Sequence, residues 1–456
     1  MEKTASVFVR RLLAAALLAL PLAASGKSAP PKGLAKIQHI VVIYLENHSF
    51  DNLYGLFPGA DGIAGAPPET TRQIDLQGRP YEKLPPAMDT RNKPPTPDPR
   101  FPADLPNQPF DIGRYVPADQ KTGDLVHRFY QHQTQINGGR MDRFAAVSDA
   151  GGLAMGYYDG RQLPLWRYAE RYTLADRFFQ AAFGGSFLNH MWLACACTPR
   201  LDKPPAELTA VLNEKGELVK DGPLTPDGHA VNTMFSAYGP RSPQASDPNR
   251  VLPPLNQPTL GDRLSDKKIS WAWYSGGWND AVAGKPDPNF QFHHQPYAYF
   301  QRYADNSRAR AEHLKDAADF LSAIEKNALP AVSFYKPIGQ LNEHPGYADV
   351  MSGERHIAEI IGKIEHGKQW PRTVVIVTYD EFGGFWDHVP PPEIDRWGPG
   401  SRVPALIVSP FAKRGHVDHT PYDTTSILKF IETRFGLEPL GERDAKANDL
   451  SKALDW

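Results

Sequence analysis

The sequence predicts an α/β fold with one mostly parallel central sheet, flanked by helices and interrupted by long irregular insertions. Short apolar, β-branched runs of strand length occur at about 39–45, 269–274, 331–336, 373–378 and 403–409. Unbroken apolar runs of this length are typical of strands buried on both faces. Segments with helical spacing of apolar residues alternate with these runs, which is the order that a parallel sheet requires.

The bulk composition is compatible with one large domain. The chain has 456 residues, of which 41% are apolar, and its 9 Trp and 22 Phe can build a substantial core. The 44 Pro and 37 Gly predict long connections rich in turns. A formal net charge of −2 without a long basic run argues against a nucleic acid partner.

Residues 1–26 are predicted to be a secretory signal peptide. Arg10 and Arg11 precede the apolar run 12–24, and small residues follow it. The run is too short to anchor the protein in a membrane, and the arginine pair leaves both Sec and twin-arginine export open. We therefore expect one domain over residues 27–456, periplasmic or secreted, without stable membrane insertion.

The first strand is followed directly by polar residues that begin with Glu46 and Asn47. The carboxyl ends of buried strands form the edge where open α/β sheets bind ligands. A carboxylate beside an amide offers two hard oxygen ligands for a divalent cation. The alternative is a polar turn in which Ser49 or Asp51 only caps the next helix.

The next segment, 60–118, is rich in Pro and Asp, and we interpret it as an irregular excursion over the surface. Residues 124–144 have a helical pattern that Asn137 and the following glycines interrupt. His127 lies near the start of this segment. A lone histidine in such a place is more often structural than functional.

A tight turn opens a predicted helix at Ser186, because two glycines precede it and an apolar periodic run follows it. The free N–H groups and the dipole of a helix N-terminus favour an anion. Asn189 and His190 would lie on the same face. The alternative is that Ser186 is only the helix cap.

Two cysteines, Cys195 and Cys197, follow near the end of this helix. In helical geometry their side chains diverge, so a bridge across one residue is awkward. We therefore expect two buried thiols rather than a disulfide.

The second half of the chain begins with another irregular excursion over 199–258. The adjacent His293 and His294 would point to opposite faces of an extended segment, so without a bend they would not reach one site. Apolar spacing predicts helices over 163–172, 259–267, 309–327, 355–366 and 423–436.

The most strand-like run, 373–378, ends in Asp380 and Glu381. If this strand lies beside the first one, these carboxylates converge with Glu46 and Asn47. Clustered carboxylates carry a cost in repulsion and desolvation unless a cation is bound, so the pattern predicts a metal site. An all-oxygen ligand set leaves Ca, Mg, Mn, Fe and Zn open.

Six segments together resemble the bacterial phosphoesterase family of acid phosphatases and non-haemolytic type phospholipases C, within the alkaline phosphatase–sulfatase superfamily. They are ENHSFDNLYG, NGGRMDRF, GGSFLNH, FHHQPYAYF, NEHPGYAD and TYDEFGGFWDHVPPP. The similarity extends from about residue 37 to residue 436.

The resemblance implies one divalent metal ion and a nucleophilic serine. The implied metal ligands are Glu46, Asn47, Ser186, Asp380 and Glu381, with Ser186 as the nucleophile. The implied groups at the phosphoryl oxygens and the leaving group are His127, His294 or His293, His344, Asn189 and His388. We expect a phosphoserine intermediate that water then hydrolyses with a histidine as acid and base. Protonated histidines would favour activity in the acid range.

The substrate expectation follows from the residues around Ser186. Family phospholipases C carry a threonine nucleophile in a Pro-Thr-x-Pro-Asn-Arg setting, whereas this chain has Gly-Gly-Ser-Phe-Leu-Asn-His. This difference favours an acid phosphatase that hydrolyses small phosphate monoesters. The alternative is a phospholipase C or another phosphodiesterase. A non-catalytic binding protein for phosphorylated ligands is less consistent with the complete ligand set, and the oligomeric state stays open.

Overall fold

Eight strands form one central sheet in the computed structural model, which describes residues 33–242 and 247–456. The predicted signal peptide lies outside these residues. The strands are β1 (His39–Leu45), β2 (Thr173–Ala175), β3 (Trp271–Ser275), β4 (Leu314–Asp316), β5 (Val332–Lys336), β6 (Thr373–Tyr379), β7 (Ala405–Val408) and β8 (His416–Asp418).

The sheet is mostly parallel, as the sequence predicts. Its order is β4-β3-β5-β1-β6-β7-β2-β8. Only β7 runs antiparallel to its neighbours β6 and β2, while the other neighbouring pairs are parallel. The α/β class is therefore confirmed.

The central position of β1 brings three strand ends together. Residues 40–45 of β1 are completely buried, which is expected for a strand covered on both faces. Leu45 pairs with Tyr379 of β6, and Ile43 pairs with Tyr335 of β5. The residues that end or follow β1, β5 and β6 consequently meet at one edge of the sheet.

Thirteen helices accompany the sheet in the described residues. They are α1 (Phe50–Tyr54), α2 (Pro68–Thr71), α3 (Phe129–Ile136), α4 (Phe144–Val147), α5 (Pro164–Arg171), α6 (Ser186–Cys195), α7 (Leu260–Asp266), α8 (Trp278–Val282), α9 (Arg308–His313), α10 (Ala317–Glu325), α11 (Val350–His366), α12 (Thr424–Phe435) and α13 (Glu442–Lys446). Helix α5 packs against α11, and α6 packs against α12. None of these helices combines the length and the apolar character needed to cross a bilayer.

The predicted helix over 309–327 is wrong as a single element. The structure has α9 and α10 there, separated by β4, which extends the sheet at its edge by pairing with β3. The break occurs at Asp316, whose carboxylate accepts a hydrogen bond from the N–H of Ala318 and caps α10. The cap at Asp316 thus starts a new helix where the apolar spacing predicts a continuous one.

Two further expectations about local structure are corrected. His293 and His294 lie in a short 3₁₀ helix, Phe292–His294, rather than in an extended segment, and this turn directs both rings toward α6. The helix predicted to begin near residue 124 begins only at Phe129. Asn137 ends it in the left-handed conformation, as the sequence indicates.

Cys195 and Cys197 form a disulfide, which corrects the expectation of two thiols. Helix α6 ends at Cys195, and Ala196 adopts a left-handed conformation with φ of 48°. The chain therefore turns between the two cysteines and brings their Cα atoms to 5.1 Å. This distance lies within the range that a disulfide requires.

Candidate active site

A cavity of about 260 Å³ opens at the edge of the sheet where β1, β5 and β6 end. Its walls come from distant parts of the chain and are largely polar. The side chains that matter here are Glu46, Asp124, His127, Ser186, His293, His344 and Tyr347. The predicted site residues can therefore be compared with the lining of this cavity.

Ser186 is the first residue of α6 and lies against this cavity. Gly185 occupies the cap position, so the alternative that Ser186 only caps the helix is excluded. A Cβ atom at Gly185 would lie 2.7 Å from the carbonyl oxygen of His127, so glycine allows this close approach. The Ser186 hydroxyl lies 3.3 Å from Asn47 Oδ1 and 3.3 Å from Glu381 Oε1.

The two strand-end loops that carry the predicted metal ligands touch each other. The N–H of Asp380 donates to the carbonyl of Leu45 (3.0 Å), and the N–H of Asn47 donates to Asp380 Oδ1 (3.3 Å). Gly383 has a φ of +64°, and a Cβ there would lie 2.0 Å from the Asn47 carbonyl oxygen. The structure thus places all five predicted ligand residues in one buried cluster.

Lys336, the last residue of β5, is a member of this cluster that sequence reasoning missed. Its side chain is completely buried, and Nζ lies 2.7 Å from Glu46 Oε1 and 3.5 Å from Asp380 Oδ2. It also donates to the carbonyl of Leu45 at 3.3 Å. A charged residue at the end of an otherwise apolar run was the signal that could have identified it.

The three carboxyl groups of the cluster differ in which charges set their pKa values. Burial opposes ionisation of Glu46, but the charges of His294 and Lys336 outweigh it and hold the pKa of Glu46 well below its usual range. Burial raises the pKa of Asp380 to about 6, and the pKa of Glu381 is raised well above normal by burial and by Asp380. The cluster therefore holds more carboxyl groups than its single buried lysine balances.

The donor set fits a divalent cation. Within the described residues, the buried Asp380 Oδ2 has no hydrogen-bond partner. Three carboxyl groups share a single buried lysine, so a bound divalent ion would balance the remaining negative charge. The ligand types available are carboxylate, amide and hydroxyl oxygens.

Carboxylate and imidazole groups also approach one another closely enough to share an ion. Three such groups occur in the described residues: Glu46, His190 and His294; Asp124, His127 and His344; and Asp51, Asp387 and His388. The first of them overlaps the cluster around Ser186. His190 was not predicted as a ligand, although its position four residues after Ser186 was noted.

The predicted histidines surround the cluster. His127 Nε2 lies 3.7 Å from Glu381 Oε1, and His344 Nε2 lies 3.8 Å from Glu46 Oε2. His294 Nε2 contacts Glu46 Oε1 directly, and His293 lines the cavity.

Protonated histidines were expected to bind the phosphoryl oxygens, but burial argues against this for two of them. It lowers the pKa of His294 to about 4 and the pKa of His293 well below its usual value. Burial therefore favours the neutral form of both imidazoles, which weakens their support for activity in the acid range.

Two predicted substrate-binding residues do not line the cavity. The Asn189 amide is engaged with the backbone: its oxygen accepts from the N–H of Ala182, and its nitrogen donates to the Ala182 and Gly185 carbonyls. His388 is bonded to Asp51 through Nδ1 (2.6 Å), outside the cavity lining. Asn189 shapes the turn before Ser186, and His388 belongs to a separate buried network.

Comparison with known proteins gives a consistent family assignment. A model of the Phosphoesterase family matches residues 37–438. Phospholipase C B of Mycobacterium tuberculosis is 25% identical over 477 aligned residues, covering 95% of this chain and 80% of that protein. Non-hemolytic phospholipase C of Pseudomonas aeruginosa is 24% identical over 472 residues, covering 93% of this chain and 58% of that protein.

A solved structure of a protein in the alkaline phosphatase superfamily from Vibrio parahaemolyticus is also similar to the chain. It shares 8% sequence identity and a TM-score of 0.34, and the match covers 72% of this chain and 73% of that one.

Proposed function

Because this chain belongs to the Phosphoesterase family, we propose that it is a metal-dependent hydrolase of phosphodiesters of the phospholipase C type. The relatives named above are phospholipases C, and they favour this alternative over the acid phosphatase that the residues around Ser186 suggested. A phospholipase C and an acid phosphatase both hydrolyse a phosphoester bond.

One observation carries the proposal. The Ser186 hydroxyl stands at the N-terminus of α6, against a polar cavity, and within 3.3 Å of Asn47 Oδ1 and Glu381 Oε1. A serine needs a group that accepts its proton before it can attack phosphorus. The Ser186 hydroxyl donates to Glu381 Oε1, so the Glu381 carboxylate is placed to accept this proton.

The chain's own residues account for each step of a two-stage reaction. Ser186 Oγ attacks phosphorus, Glu381 takes its proton, and the ester bond to the leaving alcohol breaks. A histidine of the cavity wall, His127 or His344, gives the alcohol its proton. The same imidazole then takes a proton from water, which attacks phosphorus; the bond to Ser186 Oγ breaks, Glu381 returns its proton to Oγ, and the phosphate monoester of the retained substituent leaves.

The residues around Ser186 are also placed to bind a metal ion and the phosphoryl group. Glu46, Asn47, Asp380 and Glu381 would hold one divalent ion, which would supply positive charge for the serine oxygen and the phosphoryl group. The backbone N–H groups that open α6 favour the phosphoryl oxygens. Asn189 holds the turn that presents Ser186.

The acid phosphatase activity is retained as a second candidate. The catalytic cavity has a volume of about 260 Å³ and mostly polar walls, which suits a phosphoryl group with a small substituent. The serine nucleophile in a Gly-Gly-Ser setting points the same way.

We also propose that residues 27–456 act as one catalytic domain that is exported. The predicted signal peptide supports export, and the Cys195–Cys197 disulfide is compatible with an oxidising compartment.

Replacement of Ser186 tests the function. Ser186→Ala is expected to lower kcat by a factor on the order of 10⁴ or more, as loss of a nucleophile does in serine hydrolases. The substrates are p-nitrophenyl phosphorylcholine, a diester, and p-nitrophenyl phosphate, a monoester. Ser322→Ala in α10 is the matched control. Undiminished turnover by Ser186→Ala would contradict the proposal.

Two further measurements separate the candidate activities. A higher kcat/KM on the monoester than on the diester would favour the acid phosphatase. Acid quenching during turnover should trap a phosphoryl group on Ser186, which mass spectrometry of the peptide detects. Removal of divalent ions with a chelator should abolish turnover, and readdition should restore it.

A further inference from the structure

A second cavity of about 450 Å³ adjoins the catalytic cavity, and the proposed function does not use it. Thr233, Gln291 and His293 line both cavities, so the two share one wall. We call the second one the side cavity. The residues that characterise it are Phe235, Arg250, Pro288, Phe290 and Phe292.

One wall of the side cavity is apolar and aromatic. Phe290 and Phe292 pack edge to face with ring centroids 5.2 Å apart, and Phe235 is largely buried. Aromatic and proline side chains bury apolar groups well at a low cost in conformational entropy. The side cavity therefore suits an apolar substituent, unlike the polar cavity beside it.

Arg250 adds a polar recognition element to this apolar wall. Its guanidinium carbon lies 5.7 Å from the centroid of the Phe235 ring, a cation–π contact with this wall. Its Nε–H is buried and has no hydrogen-bond partner within the described residues. A guanidinium offers donors only, so the missing partner is an acceptor oxygen.

The one carboxylate in the lining is already engaged elsewhere. Asp287 Oδ1 accepts from the N–H of Asn289 (2.8 Å) and from the side-chain amide of Gln340 (2.9 Å). An unpaired buried donor carries a desolvation cost that a ligand oxygen would relieve.

We infer that the side cavity binds the acylated glycerol portion of a glycerophospholipid. An ester carbonyl accepts from Arg250, and the first carbons of an acyl chain pack against Phe290 and Phe292. The phosphoryl group then lies in the adjoining cavity beside Ser186. This inference rests on the proposed phospholipase C-type function and adds to it the residues that bind the leaving alcohol.

Binding measurements on the metal-loaded Ser186→Ala protein test the inference without turnover. The ligands are dibutyroyl phosphatidylcholine, its dialkyl ether analogue without carbonyls, and glycerophosphocholine without chains. Titration calorimetry should give the ester lipid at least about tenfold tighter binding than glycerophosphocholine. Equal affinities for the two would overturn the inference.

Adding Arg250→Met to this protein should weaken binding of the ester lipid about tenfold, the effect of one hydrogen bond to a charged group. The ether analogue and glycerophosphocholine should change less than about twofold, since they lack the acceptor. Arg308→Met, at an arginine whose side chain is 93% exposed, is the matched control. An equal loss for ester and ether ligands would overturn the role of Arg250.

Phe292→Ala gives an independent measurement of the apolar wall. Its effect on binding should grow from diacetyl to dibutyroyl to dihexanoyl lipids, because each added methylene buries more apolar surface. An effect that does not depend on chain length would contradict an acyl chain in the side cavity. A loss seen only with aryl phosphodiesters would assign the cavity to an aromatic alcohol instead.

The test of the side cavity can be separated from the test of the proposed diesterase function. If the wild-type protein hydrolyses only monoesters, the same variants are compared on dibutyroylglycerol 3-phosphate and glycerol 3-phosphate. A selective loss on the acylated compound would then support the side cavity although the diesterase proposal had failed. Losses that are equal on both compounds would contradict it.

Discussion

Two buried groups of charged residues take their acids from the segments that follow β1 and β6. They differ in how their charges are balanced. The catalytic cluster consists of Glu46, Asp380, Glu381 and Lys336. The Arg402 network consists of Asp51, Asp387, His388 and Arg402. In both, acids from the segment after β1, with Glu46 in the loop and Asp51 in α1, meet acids from the loop after β6.

The Arg402 network satisfies its carboxylate oxygens internally. Arg402 donates to Asp51 Oδ1 (3.1 Å) and Asp387 Oδ1 (2.8 Å). The remaining oxygens accept from His388, at 2.6 Å to Asp51 Oδ2, and from the N–H of Asp51, at 3.1 Å to Asp387 Oδ2. In the catalytic cluster, by contrast, Asp380 Oδ2 has no hydrogen bond among the described residues.

This difference separates a structural cluster from a candidate site more clearly than residue type does. Both groups contain acids that could bind a metal, and His388 sits in a sequence motif as suggestive as that of Asp380. The distinguishing property is uncompensated charge, which a folded protein tolerates only where a ligand supplies the balance.

Removal of Arg402 should have the largest effect on stability. Arg402→Met would leave Asp51 and Asp387 buried without their partner, and we expect the free energy of unfolding to fall by about 3–5 kcal/mol. Urea unfolding of the metal-free protein measures this. Arg79→Met, at an exposed ion pair with Asp75, should leave the stability nearly unchanged. A similar loss in both variants would remove the contrast between the two regions.

An isosteric pair of substitutions should separate metal binding from stability. Glu381→Gln should weaken divalent ion binding at least about 10–100-fold, the loss seen even for residues beside a ligand. It should not lower the stability of the metal-free protein, because it removes a repelling charge. Asp387→Asn should lower stability and leave ion affinity unchanged. Calorimetric titration and urea unfolding check both, and the reverse pattern would refute the comparison.

The pH dependence of stability should show the smallest effect. Burial raises the pKa of Asp380 to about 6 in the folded protein, above the ordinary value of 3.8. The folded state therefore binds a proton more tightly than the unfolded state, and the metal-free protein gains stability as the pH falls through 6. Asp380→Asn should remove this part of the gain between pH 7 and pH 5. An unchanged profile in that variant would show that Asp380 is not the group responsible.

The sequence allowed the sheet and the meeting of the two strand ends to be predicted, because buried parallel strands leave a strong apolar signal. Lys336 escaped prediction because its partners Glu46 and Asp380 are almost three hundred and about forty residues away, so only the strand pairing reveals the contact. His388 was predicted near the substrate because it follows the Asp380 motif closely; in the structure the chain turns at Gly383 and Gly384 and brings it to Asp51.

Local conformation explains the other differences. His293 and His294 both face α6 because they lie in a 3₁₀ turn. The sequence predicts an extended segment here, in which the two side chains would point to opposite faces. The short β4 was hidden inside a helical pattern, since three residues are too few to change the periodicity. The ligand-binding role of each site residue stays a prediction until the variants are measured.

The bridge between Cys195 and Cys197 closes the far end of the helix that begins at Ser186. Production of the protein in a reducing cytosol would leave both sulfurs as thiols, and the last turn of that helix would lose its covalent clamp. Recombinant protein for any of these assays should therefore be prepared in a host compartment that oxidises thiols, with the yield of bridged molecules checked by mass spectrometry.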